Sequence, residues 1–325
     1  MSSLLLLSFL PLLFTIELLY FIIADYFGII DKPNHRSSHS KVTLRGGGVI
    51  FSIALLIYPL FFGYEYRWFL IGLTLISVIS FADDIKPVSN KLRIVMHLAA
   101  VSLMFFQLQL WSLPWYWVVL ALFFVIGSIN AINFMDGING ITGSYALIAF
   151  ISFLYINMFV QEFINANFLL VSVVAVMVFN FFNFRTKAKC FAGDVGSVSI
   201  AFIILFILLE LIIKSQNFNY LLLLLLYGLD AVTTIVFRLF RKENIFDAHR
   251  SHFYQYLANE RKWPHLIVSS AYAITQLILN VLVILWLPNS IFYLCCFIFL
   301  SVAAFIIMRF STEGAGKLLG KQMLV

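Results

Sequence analysis

Adjacent carboxylates stand at Asp83 and Asp84 in the run FADDIKPVSNKLRI. Two neighbouring carboxylates repel, so either a cation or basic residue compensates them or one keeps its proton. That makes them candidate bases or metal partners, with an interfacial pairing of Asp83 to Lys86 three residues on as the plain alternative. The run INAINFMDGINGITG sets Asn130, Asn133 and Asp136 three residues apart, one stripe at a helix end, before Gly137 and Gly140 open the backbone. Oxygen donors on such a stripe suit Mg²⁺, a phosphate or a nucleobase. Packing amides followed by a glycine turn would read the same way. In CFAGDVGSVS, Asp194 lies between two glycines just before an apolar run. It is either a helix cap or a carboxylate holding Mg²⁺ against a diphosphate that the glycines let approach the backbone.

Two basic stretches complete the set. RLFRKENIFDAHRSHFYQYLANERKW offers Arg238, Arg241, Lys242, His249, Arg250 and His252. His249 and His252 have no cysteine or further histidine close in sequence to complete a zinc site. Phosphate binding by Arg250 with histidine hydrogen bonds fits better, and headgroup anchoring is the alternative. DKPNHRSSHSKVTLRGGGVIF brings a polar basic loop with His35 and His39 to Gly46–Gly48, where glycines serve either close helix packing or approach of a phosphate.

The elements that carry these residues are membrane helices. The 325 residues are 62% hydrophobic and 11% charged, with a mean hydropathy of +1.00; soluble domains carry roughly a quarter charged residues. A spanning helix needs about 20 apolar residues. Eleven segments qualify, near 3–23, 46–63, 66–81, 92–110, 114–130, 141–160, 167–183, 196–213, 219–237, 266–286 and 290–308. The first lacks the basic start and small-residue cleavage site of a signal peptide and reads as a helix. The expected fold is all-α and polytopic, a single membrane domain over residues 1–325. With the N-terminus outside and the C-terminus cytoplasmic, 19 of the 21 Lys and Arg residues fall inside and only Arg67 and Lys214 outside. The net charge of +6 is then topogenic rather than a sign of nucleic-acid binding. Three cysteines, Cys190, Cys295 and Cys296, suggest no structural disulfide.

Outer connections are short, whereas inner loops at about 25–45, 82–93, 130–142, 185–197 and 238–265 carry most of the polar chemistry. The last is long for a simple connection and should carry local structure or function. A transport path distributes polar groups through the bilayer. A one-sided cluster suits chemistry at the cytoplasmic surface, with the membrane supplying one substrate.

In this order the motifs resemble the polyprenyl-phosphate N-acetylhexosamine-1-phosphate transferase family (glycosyl transferase family 4), from about Asp31 to His252. The resemblance implies transfer of a sugar-1-phosphate from a UDP-sugar to undecaprenyl phosphate, releasing UMP. It also implies Mg²⁺, with Mn²⁺ able to substitute, and a bacterial inner-membrane location with membrane lipids around the chain and a homodimer as one assembly. By motif, Asp194 would be the principal metal ligand and Asn133 a second; Asp83, Asp84 and His249 would be catalytic. Lys86, Asp136, Asn139, Asn183, Arg250 and His252 would bind substrate. RSSHSKVTLRGGG and DAHRSHFYQ look like the subgroup that starts O-antigen or capsular chains, a lipopolysaccharide role. Peptidoglycan translocases show three consecutive histidines where this chain has His249-Arg250-Ser251-His252, and many members have aspartate where Asn139 stands. A lipid or ion transporter using Glu17 and Asp230, and a scaffolding subunit, are the rival classes. The orientation is directly measurable: a green fluorescent protein fused to the C-terminus should fluoresce and an alkaline phosphatase fused there should be inactive. The reverse pattern would refute the charge-based topology.

Overall fold

The computed structural model describes residues 3–31, 42–244 and 249–320. His35 and His39, the basic residues Lys32, Arg36 and Lys41, and Asp247 of the DAHRSH run lie outside the described residues. The long elements are helices α1 (Ser3–Tyr26), α2 (Val49–Ile57), α3 (Pro59–Phe62), α4 (Arg67–Ile85), α5 (Asn90–Gln107), α6 (Trp115–Met135), α7 (Ile141–Phe159), α8 (Ala166–Asn183) and α9 (Gly193–Ser215). They continue with α10 (Leu225–Phe240), α11 (Phe253–Asn259), α12 (His265–Trp286), α13 (Ile291–Glu313) and α14 (Ala315–Leu319). Strands β1 (Ile30–Asp31) and β2 (Thr43–Leu44) form a two-residue antiparallel ladder.

An all-α polytopic membrane architecture follows, with nine helices among the described residues long and apolar enough to span. The other two expected spans are present as helices but differ in kind. The segment from Val49 to Phe62 is broken at Pro59 and, at 1.5 Å per residue, falls short of the roughly 30 Å hydrocarbon core. Helix α5 has 18 residues but carries Lys91, Arg93 and His97, which lower its hydropathy. The expected ninth span begins as a 3₁₀ turn over Phe218–Leu224 and only then becomes α10. Within the long segment from 238 to 265, α11 supplies local structure.

Helix α9 is the axis of the bundle. Nearly every residue from Val195 to Ile212 is buried, and α4, α6, α2 and α7 pack around it. By contrast α13 buries only Leu294, Phe305 and Arg309, as expected of a helix facing lipid. Because lipid tails are as apolar as leucine, helices associate through close packing and interhelical hydrogen bonds. Both devices are visible. At the N-termini of α2 and α9 a Cβ on Gly48 would lie 2.3 Å from the Cα of Gly196, and one on Gly47 would lie 2.5 Å from Cys190 Sγ. The glycine run is therefore a packing feature at Gly47 and Gly48. Deeper in the bundle, Gln276 Oε1 accepts from Tyr145 Oη at 2.9 Å and from Leu226 N at 2.8 Å. Its Nε2 donates to Leu222 O at 3.1 Å and Asn280 Oδ1 at 2.6 Å. This side chain satisfies the backbone where the 3₁₀ turn gives way to α10. Orphaning a buried polar group costs about 1–3 kcal/mol, so Gln276→Leu should lower the thermal unfolding midpoint of the purified protein clearly, whereas an unchanged midpoint would show that the interruption needs no such brace.

Candidate functional site

The aspartate pair sits on the last turn of α4, where successive side chains point about 100° apart. Each takes a different task. Asp84 turns inward, its side chain fully buried, and its two oxygens accept the backbone N–H groups of Asp194 and Val195 at 2.8 and 2.9 Å. A helix N-terminus leaves four such donors unpaired, and here a carboxylate from another helix satisfies two of them while meeting the positive end of the α9 dipole. Arg45 Nε lies 2.6 Å from Asp84 Oδ1, and its Nη2 lies 3.6 Å from Asp194 Oδ1. Asp83 faces outward: Val88 N donates to its Oδ1 at 2.7 Å, and Arg93, rather than Lys86, pairs with its Oδ2 at 3.0 Å.

Asp194 lies in the first turn of α9 and does not cap its own helix; Asp84 does that instead. Its carboxyl group is a hydrogen-bond neighbour of Asp83. Two ionised carboxylates at such separation repel, and a proton or a cation between them removes the repulsion. Position 193 shows why glycine precedes Asp194: its φ is +72°, and a Cβ there would lie 2.6 Å from Asp84 Oδ2. The backbone of Gly47 and Gly48 donates to Phe191 O and Ala192 O at 2.9 and 3.1 Å, and Phe191 N donates to Leu44 O at 2.8 Å. These bonds lock the loop after β2 to the entry of α9.

The second wall is the end of α6. Asn133 Oδ1 lies 2.5 Å from Ser197 Oγ on α9, while Asn130 Nδ2 donates back to Ile126 O at 2.8 Å. Asp136 follows the last helical residue, and Thr142 Oγ1 donates to its Oδ1 at 2.6 Å. Burial, the largest influence, pushes the Asp136 carboxyl up to about 6 from its usual 3.8, partly relieved by the Thr142 hydrogen bond. Gly140 takes a left-handed turn at φ +82°, with Phe184 packed where a Cβ would be, and donates its N–H to Asn183 Oδ1 at 2.8 Å. Asn183 Nδ2 in turn donates to Cys190 O at 2.8 Å. Asn139 Nδ2 donates to Arg185 O at 2.8 Å.

Between these walls lies a cavity of about 230 Å³ lined by Arg45, Asn133, Asp136, Asn139, Asn183 and Asp194, together with Asp31, Gln255 and His265. Five residues singled out from sequence thus line one cavity: Asn133, Asp136, Asn139, Asn183 and Asp194. Asp83 and Asp84 support it from behind. Asn183 and the amide of Asn139 bond to main-chain groups, so they shape the wall. Lys86 is exposed and lies outside the lining. His249, Arg250 and His252 are likewise outside the lining. The His249 ring centroid lies 6.2 Å from Phe134 and 5.1 Å from His252, and burial followed by the charges of His252 and Arg238 pulls its imidazole down to about 4. Sequence reasoning passed over Arg45 as one more inner-loop cation, although its place directly before three glycines was a usable signal. Asp31, Gln255 and His265 carried none.

Among the described residues no three His, Cys, Asp or Glu side chains form a ready cage for a metal ion. Mg²⁺ does not need one, since it is commonly held by one or two carboxylates with waters and substrate phosphates. The close carboxyl groups of Asp83 and Asp194 and the amide oxygen of Asn133 are a donor set of that kind. The Cys190 thiol is buried and donates to Glu17 Oε1 at 3.8 Å, which keeps it away from the cavity chemistry.

The model of the family described as Glycosyl transferase family 4 matches residues 66–212. No curated protein matches the sequence. The matched stretch runs from the start of α4 through most of α9 and so contains both aspartates of the pair, the α6 stripe, Asn183 and Asp194. It supports a multi-pass membrane transferase at the level of that family. Asp136 offers a separable test of site and scaffold. Its folded carboxyl titrates near 6, so folding takes up a proton and stability is lost as pH rises from its usual 3.8 towards 6. Asp136→Asn keeps an acceptor for Thr142 without that cost, and should stabilise the protein at pH 7 by up to about 3 kcal/mol at 1.36 kcal/mol per pKa unit. The gain should fade by about pH 4. Melting curves at the two pH values check this, and a variant less stable at pH 7 would contradict it.

Proposed function

We propose that this chain transfers a sugar-1-phosphate, from a UDP-activated N-acetylhexosamine or its 6-deoxy relative, to undecaprenyl phosphate at the cytoplasmic face of a bacterial inner membrane. The observation that carries the reading is the convergence of Arg45, Asn133, Asp136 and Asp194 on one cavity, with the carboxyl group of Asp83 beside that of Asp194. They come from four separated stretches of chain, at the end of a membrane bundle where a lipid headgroup and a soluble nucleotide can meet.

The reaction is attack by a phosphate oxygen of the lipid on the sugar-linked phosphorus. A new P–O bond forms, the bond to the bridging oxygen breaks, and UMP leaves with that oxygen. A phosphate monoester is largely ionised near neutral pH, its second pKa being about 6, so no strong base is required. Phosphoryl transfer asks for alignment and charge neutralisation. Arg45, already in the cavity wall, offsets anionic charge there. Asp194, Asp83 and Asn133 would hold Mg²⁺, which supplies charge neutralisation between the two anionic substrates. Asp84, with both oxygens engaged by α9, organises rather than reacts, which favours direct attack over a covalent aspartyl intermediate. Asp136, Asn139 and Asn183 form the wall for the nucleotide, and the His249–His252 segment lies alongside. That segment, His249-Arg250-Ser251-His252, favours initiation of O-antigen or capsular chains over the peptidoglycan lipid.

Purified protein with Mg²⁺, undecaprenyl phosphate and a panel of UDP-GlcNAc, UDP-GalNAc and 6-deoxy analogues should release UMP only when lipid and nucleotide sugar are both present. Chelation should stop it, Mn²⁺ should restore it, and Asp194→Asn should slow turnover by about 10²–10³, the range for losing one charge-stabilising group. Movement of substrate across proteoliposomes without UMP, or a phosphorylated Asp83 or Asp84 trapped during turnover, would overturn the reaction or its direct form respectively.

A further inference from the structure

Two buried charges lie outside the cavity and take no part in the chemistry above. Asp230 on α10 and Arg309 on α13 are 0% and 1% exposed. Burying either is costly unless it is thoroughly hydrogen-bonded, and both are. Phe253 N and Thr234 Oγ1 donate to Asp230 Oδ1 at 2.8 and 3.2 Å. Tyr254 N and Tyr272 Oη donate to Oδ2 at 3.2 and 2.6 Å, and His252 Nδ1 lies 3.3 Å from Oδ1. Arg309 Nη1 donates to Thr233 Oγ1 and Thr234 Oγ1 at 3.0 and 2.9 Å, Nη2 to Ser251 O at 3.1 Å, and Nε to Glu313 Oε1 at 2.6 Å.

Four of the partners in these bonds are consecutive: Ser251, His252, Phe253 and Tyr254. Asp230 caps the N-terminus of α11 much as Asp84 caps α9, and Arg309 fixes the carbonyl two residues ahead of that helix. A two-turn helix is marginal by itself, so its position is set by what holds its ends. Helix α11 then meets the cavity and the end of α6. Gln255 lines it, and Tyr254 Oη donates to Phe134 O at 3.0 Å, beside Asn133. A Cβ on Gly137 would lie 2.2 Å from Tyr254 Oη, so α11 is in close contact with the turn that carries Asp136.

We propose that Asp230 and Arg309 are positioning residues that register the His249–His252 segment and α11 against the cavity, which makes the outermost, lipid-facing α13 a working part of the site. The proposal builds on the reaction proposed above, but its primary test needs no substrate. In full-length protein in nanodiscs, Asp230→Asn, which puts an amide donor opposite one of the two backbone donors, should speed hydrogen exchange of residues 253–256 by about tenfold, as expected for a lost cap. Exchange in α9 should stay as in the wild type. The Michaelis constant for the nucleotide sugar should rise several-fold, and Arg309→Lys should move both readouts in the same direction. Should Asn at 230 prevent folding, Tyr272→Phe removes a single bond to the same carboxylate and carries the test. Wild-type exchange over 253–256 would overturn the proposal, as would a uniform rise across all helices with turnover falling only in step with folded protein. If the wild type itself releases no UMP, the reaction assigned above falls while the exchange result still decides the positioning role.

Discussion

The structure depends on one carboxylate. Asp84 projects from the end of α4 onto the first turn of α9, the most buried helix of the bundle, and Arg45 closes the contact from the side. Without it two backbone donors at the head of α9 would face a low-dielectric interior unpaired, at a cost of about 1–3 kcal/mol each. With it, Asp194 on that same turn is held beside Asp83, because Asp83 and Asp84 are neighbours on one helix. A single adjacency in sequence thus becomes a fixed distance between two carboxyl groups from helices more than a hundred residues apart.

Everything near this contact serves to keep it close and dry. Gly48 and Gly196 let α2 and α9 touch backbone to backbone, and the bonds of Gly47, Gly48 and Phe191 stitch the β2 loop to the α9 entry. Asn183 links the Gly140 turn to the same α9 entry through Cys190 O. Each bond uses a main-chain group that membrane surroundings would otherwise leave unsatisfied, a constraint that bears harder in lipid than in water. The polar residues around the cavity are therefore of two kinds. Arg45, Asn133, Asp136 and Asp194 present oxygen or charge to the space, while Asp84, Asn139 and Asn183 spend their polar atoms on main chain or on a partner behind the wall.

The capping arrangement recurs at α11, where Asp230 meets that helix as Asp84 meets α9. In both places a carboxylate borrowed from another helix accepts first-turn main-chain donors, and at α11 it adds to the local capping box of His252 and Gln255. Borrowing ties the local helix to the bundle. This suits elements that must hold a reacting group at a fixed place rather than merely fold.

Much was legible in the sequence. Apolar run lengths gave the helices, and the three-residue spacing of Asn133 and Asp136 placed them along one helix end. Oxygen-bearing side chains within short, glycine-flanked motifs announced which residues could meet a phosphate or a cation. Two spans were read as more uniform than they are, because Pro59 and the basic start of α5 shift local geometry without ending the apolar pattern. What the sequence could not contain was the division of labour. Asp84 read as a candidate base or metal partner, Asp194 as a cap of its own helix or a metal holder, and Asp230 as a membrane carboxylate without an assigned role, since neither period nor composition records which helix end a side chain meets. Run length and charge are properties of the chain taken in order; the partner of a buried carboxylate is a property of packing, decided only when α4 reaches α9 and α10 reaches α11 across the folded bundle.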